Sequence, residues 1–152
     1  MSFFSALRTS ASGLTAQRLR MDLISNNIAN AETTRTDAGG AYRRQVALFS
    51  PKSEGNASFV DRLRGQVEPG QAIEPSLAGV QTVKIVDDQA PMRMVYDPTH
   101  PDANEHGYVE YPNVNPVTEM TDMLSATRSY EANVTVLNAA KAMAQRALDI
   151  GR

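Results

Sequence analysis

Between Asp97 and His106 the chain places Asp97, His100, Asp102, Glu105 and His106 within a few residues of one another. Imidazole and carboxylate groups at short spacing can hold a divalent metal, and a metal on His100, Asp102 and His106 would suit a small hydrolase. A surface loop competes with that reading. Pro98 and Pro101 interrupt the segment, so no regular element presents these side chains on one face. Asp, Asn, Pro and Gly are also the residues that turns require. The loop is the favoured reading, and no metal or other cofactor is expected.

Other candidates are thinner. Arg43 and Arg44 beside Tyr42 could make a basic contact patch, but a solvated strand face is favoured. Tyr130 and Glu131 fall in a helical pattern, where tyrosine usually serves a core or an interface. The chain has no phosphate-binding loop, nucleophile elbow, HExxH or dinucleotide fingerprint. It has no cysteine, which excludes disulfides, thiolate metal sites and cysteine nucleophiles. Lys plus Arg number 15 against 17 Asp plus Glu, unlike the basic footprint of a nucleic-acid binder. Neither nucleic acid nor a small-molecule substrate is expected.

The elements that would carry any site lie mainly at the two ends. Leu7, Leu14, Met21 and Ile28 recur every seventh residue, joined by Phe3, Ile24 and Ala31. Toward the other end, Met120, Thr127, Val134, Lys141 and Leu148 form one row, and Met123, Tyr130, Leu137 and Ala144 form another. Residues three, four and seven apart share a helix face, so each end writes a stripe that needs a helical partner. The spacing predicts a helix from about Phe3 to about Ala31. A second is predicted from Pro116 to Ile150, with Asn115 as cap, Glu119 and Asp122 at the positive end of the dipole, and Gly151 as stop.

Between the ends the rhythm changes. Tyr42 to Phe49, Val80 to Val86, Arg93 to Tyr96 and Tyr108 to Tyr111 read as short strands, separated by Gly and Pro turn signals. Ser50 to Ala57 reads as polar and mobile. The expected organisation is α+β: an N-terminal coiled-coil helix over 1–33, a small β-rich middle domain over 34–114 with a variable insertion at about 50–76, and a C-terminal coiled-coil helix over 115–152. No run approaches the length of a transmembrane helix. The first residues lack the charged and apolar regions of a secretory signal, so export would need a signal-independent route.

The N-terminal helix is weak taken alone, because Thr9, Ser10, Ser12 and Gly13 are poorer helix formers than alanine. A lone pair of such helices has little margin against the entropy of ordering it. The termini are therefore expected to be largely disordered in a free subunit and to fold as neighbours supply the missing surface. Leu7, Leu14, Met21, Ile24, Ile28, Met120, Met123, Tyr130, Val134, Leu137 and Leu148 are the expected assembly interface.

The run Leu23-Ile24-Ser25-Asn26-Asn27-Ile28-Ala29-Asn30-Ala31-Glu32-Thr33 resembles the N-terminal motif of flagellar rod and hook proteins, with Ser25, Asn26, Asn27, Asn30 and Thr33 as its signature residues. Gly13 to Arg18 upstream and Thr34-Arg35 downstream agree with it. Val95-Tyr96-Asp97-Pro98, Pro101-Asp102-Ala103, Gly107-Tyr108-Val109, Pro112-Asn113-Val114, Met120 to Met123, Ala126 to Asn133 and Arg146 to Gly151 narrow the resemblance to the proximal-rod subunits of that family. The resemblance covers about 1–50 and 80–152. It implies a non-enzymatic, self-assembling subunit of the rod that transmits torque from motor to hook and is needed for motility. It also implies type III export without a cleaved signal, and terminal helices paired as an antiparallel coiled coil inside the tube. Implied partners are other rod proteins, neighbouring copies, and ring and export-gate components. Competing readings are another rod or hook subunit, the metal-dependent hydrolase and a cytoplasmic coiled-coil adaptor.

Overall fold

A computed structural model describes residues 3–37, 39–54 and 76–150. The elements run α1 (Phe3–Ala29), β1 (Gln45–Glu54), β2 (Ser76–Asp87), β3 (Arg93–Tyr96), β4 (Tyr108–Tyr111) and α2 (Pro116–Ile150). Most of the expected insertion lies outside the described residues.

Helix α2 begins where its capping residues dictate. The Asn115 side-chain oxygen accepts from the Val117 amide at 3.0 Å, and its carbonyl takes the Glu119 amide at 3.0 Å. Pro116 follows at the first helical position, where its missing N–H costs nothing. Helix α1 ends at Ala29, two residues before the apolar rhythm does. Asparagines bring this about by hydrogen-bonding locally in place of continuing the helix. The Asn30 amide group donates to the Asn26 carbonyl at 2.9 Å and to the Asn26 side chain at 3.0 Å, while Asn30 Oδ1 accepts from the Thr33 hydroxyl at 3.2 Å.

The strands form two separate antiparallel pairs, β1 with β2 and β3 with β4. The first aligns Gln45 with Asp87 and Leu48 with Lys84, then shifts register after Leu48 and again after Pro51. Two sequence expectations are corrected here. The first strand, read as ending at Phe49 before a polar, mobile stretch, runs on through Ser50 to Glu54, because β2 offers Gln81 and Val80 as backbone partners. Tyr42 to Arg44, read as strand, precede it: the Tyr42 amide donates to the Thr33 carbonyl at 3.0 Å and the Arg44 amide to Asn113 Oδ1 at 2.9 Å.

A two-stranded ribbon has little stability of its own, and β1–β2 lies along α1. The Val80 amide donates to Ser12 Oγ at 3.0 Å, and Gly79, at φ +112°, lies so close that a Cβ there would fall on Ser12 Oγ. In the second ribbon Val109 is fully buried opposite Val95. Helices α1 and α2 pack antiparallel. Asn27 meets Glu119, Met21 meets Thr127, and Gly13 faces Asn133. Within one chain the terminal helices lie against each other, so each stripe finds part of its missing surface on the other.

Candidate assembly interface

The line along which α2 meets α1 is not a row of large apolar residues. On α2, Glu119, Ala126 and Ala140 are buried, with half-buried Asn133 completing the sevenfold spacing. On α1 the buried positions are Ser10, Ala16, Leu23, Ile24 and Asn27. Where the line is built of small side chains, as at Ala126, Ala140 and Gly13, the backbones can approach; a Cβ added at Gly13 would stand 3.2 Å from Asn133 Nδ2. The closest line therefore falls one residue before the expected Met120 row.

The expected interface residues divide accordingly. Ile24 is covered within the subunit, while Leu7, Leu14, Met21, Ile28, Met123, Tyr130, Val134 and Leu137 are half-buried at the margins of the pair. Met120 and Leu148 face outward, 54% and 75% exposed. Val117, Leu124, Val136 and Met143, which the sequence reading did not single out, are exposed with them.

Of the signature asparagines, Asn27 sits where α1, the start of β1 and the first turn of α2 converge. Asn27, 1% exposed, accepts on Oδ1 from the Tyr42 hydroxyl and from the Gln45 amide, each at 2.9 Å. Its Nδ2 donates to the Gln45 carbonyl at 3.0 Å and to Glu119 Oε2 at 3.2 Å. Glu119, likewise 1% exposed, takes Arg44 Nε on its other oxygen at 2.7 Å. Arg44 extends to Asp88 at 3.6 Å and Asp122 at 3.7 Å, and Asp122 also meets Arg20 at 3.6 Å. Asn113 closes the ring, accepting from the Arg44 amide and donating to the Asp88 and Ala90 carbonyls. Ser25 and Asn26 lie on the exposed side of α1; Thr33 and Asn30 shape the turn that follows it.

Charge is held firmly here. Burial works against the Arg44 guanidinium, but the Glu119 hydrogen bond and the Glu119, Asp88 and Asp122 charges outweigh it, so its pKa is raised. Burial, with Asp87 and Glu119 nearby, also raises the Tyr42 hydroxyl and keeps it a donor. Breaking a buried ion pair by removing one partner typically costs about 3–5 kcal/mol. Arg44, read from sequence as solvated, is thus a structural cation, while Arg43 is exposed. The missed signal was Glu119 itself, a carboxylate in heptad phase with Ala126 and Ala140 on a buried line.

The histidine loop does not assemble a metal site: no three His, Cys, Asp or Glu among the described residues are grouped to hold an ion. Each member of the suspected triad faces its own partner or solvent. His100 Nδ1 accepts from the Asp102 amide at 3.1 Å, so Asp102 turns back onto its neighbour. Asp102 Oδ2 accepts from the Thr34 hydroxyl at 2.8 Å, and its other oxygen meets Arg35 at 3.7 Å. His106 is exposed. The loop ties the segment after α1 to the β3–β4 ribbon.

Terminal helices laid together, with one small ribbon along α1, make a structural subunit, and two family models agree on its class. Residues 7–35 match the family described as flagella basal body rod protein, and residues 105–150 the C-terminal family of the flagellar basal body rod FlgEFG proteins. The chain is 45% identical to the flagellar basal-body rod protein FlgC of Bacillus subtilis, with 100% of each chain covered. Against FlgC of Borreliella burgdorferi it is 47% identical over 99% of this chain and 98% of that one, and against FlgC of Salmonella typhimurium 35% identical over 100% of both. The chain belongs to the FlgC family of flagellar basal-body rod proteins. It is a structural subunit of the rod, located in the flagellar basal body and serving motility.

Proposed function

We propose that the subunit builds the proximal rod by packing the outer face of its helix pair against neighbouring copies and other rod proteins, with ring and export-gate components as further neighbours. The observation that carries this reading is the set of large apolar side chains that α2 leaves exposed: Val117, Met120, Leu124, Val136, Met143 and Leu148. Burying each such side chain is worth about 1.5–3 kcal/mol, and no partner within the described residues covers them. In this reading the helix pair becomes an antiparallel coiled coil in the inner layer of the tube, and the ribbons lie outside it. Close packing then passes torque from motor to hook, because packed interiors transmit strain stiffly. The subunit catalyses nothing and leaves the cell interior unfolded, by type III export without a cleaved signal. Marginal helices favour such passage.

Replacing Leu14, Leu137 or Leu124 with Asp tests it. Leu14 and Leu137 lie at the margins of the pair, so their loss weakens the subunit as well as its contacts; Leu124, 63% exposed, bears on contacts alone. All three variants should still be exported but give no assembled rod by electron microscopy and no swimming. Swimming by Leu124→Asp cells would remove the outer face of α2 from assembly, and swimming by all three would end the proposal.

A further inference from the structure

Sliding α1 by one heptad along α2 would replace one large apolar neighbour by another in the Met123, Tyr130 and Leu137 row. Asn27 would move from the level of Glu119 to that of Ala126, and Gly13 from Asn133 to Ala140, so small or polar seats succeed one another. The large residues Met123, Tyr130 and Leu137 flank this line and are only half-buried. Apolar packing of this kind discriminates poorly between neighbouring registers.

The polar contacts do not repeat. Asn27 uses its full capacity, two bonds donated and two accepted, on Tyr42, Gln45 and Glu119. Gln45 and Arg44 belong to the segment that Asn113 fastens to the lead-in of α2. A slide would strip Asn27 from Glu119 and leave a buried amide and a buried carboxylate short of partners, the most costly kind of unsatisfied group. A single buried polar residue is a well-attested means of fixing helix register.

We propose that the Asn27–Glu119–Arg44 junction, rather than the apolar seam, fixes the register of α1 against α2. Register also sets how far α2 projects. With Gly13 opposite Asn133, Phe3 stands near residue 143, so α2 runs on by about 10 Å past the start of α1. The junction thereby decides how much of the Met143 to Leu148 surface is offered to a neighbour.

The chain has no cysteine, so spin labels can be placed cleanly at two exposed positions, Asp22→Cys and Lys141→Cys. These are offset along the helix axis, and a one-heptad slide changes their separation by about 10 Å. Pulsed electron resonance on the isolated full chain should give one distance for the parent and for Leu137→Ala, which trims the apolar row. Glu119→Leu and Asn27→Leu, with helical circular dichroism retained, should each add a second distance about 10 Å away. A single parental distance in every junction variant that stays helical overturns the proposal. Loss of helix in both junction variants overturns it too, since the junction would then be required for folding rather than for register. A parent without one defined distance, or a slip in Leu137→Ala, does the same. Because the measurement needs no rod, its failure is separable from failure of the assembly reading.

Discussion

Arg44 carries its charge into a junction that a sequence reader has no cause to expect, because a pair of arginines beside a tyrosine looks the same whether solvated or buried. Its role depends on Glu119, far away in the chain. Asp97 is the opposite case, a residue whose state is set by its immediate neighbours. The Thr99 hydroxyl donates to it at 2.6 Å and the Thr99 amide at 3.0 Å, and these bonds hold its carboxyl below the ordinary range, His100 helping. A carboxylate depressed in the folded state contributes stability above its unfolded pKa and loses it as pH falls through the folded one. Thr99→Val removes the hydroxyl bond and should move the Asp97 titration upward. Carboxyl carbon NMR measures this; an unmoved curve would discount the Thr99 hydroxyl.

Among the elements, the β1–β2 ribbon depends most on fit. Gly79 takes a positive φ at the register shift between Pro51 and Ser53, with Ser12 closely against it. Gly79→Ala must add a methyl group where Ser12 Oγ stands and must strain a positive φ, so about 1–3 kcal/mol of destabilisation is expected. Denaturant unfolding followed by circular dichroism reads that loss, and a midpoint equal to that of the parent would show that the ribbon lifts from α1 freely. The helices themselves were easier to foresee. Asn115, Pro116 and Glu119 mark the start of α2 in the sequence, and the structure begins it at Pro116. The end of α1 was overrun by two residues, since periodicity does not register asparagine side chains competing for the backbone.

At the scale of the whole molecule the subunit is paired but thinly held. Its buried apolar residues are few and mostly small: Ala16, Leu23, Ile24, Val109, Val114, Ala126 and Ala140 among those described. Elements with little buried apolar contact open at low cost. Amides from Leu7 to Ile28 are therefore expected to exchange readily in the isolated chain and to become strongly protected in assembled rods, as hydrogen exchange with mass spectrometry would follow. Strong protection in the isolated chain would mean that the helix pair is complete without neighbours.

Periodicity and capping residues alone determined two long terminal helices and a strand-bearing middle, because helix faces and turn chemistry are written at short range. The signature runs likewise identified the family. Which face of α2 meets α1 was decided only by tertiary structure. Size and hydrophobicity pointed to Met120 and its row, whereas close approach of two backbones favours the small residues one position earlier. The same holds for Asn27, Arg44 and Glu119, whose meaning lies in bonds between segments that only folding brings together.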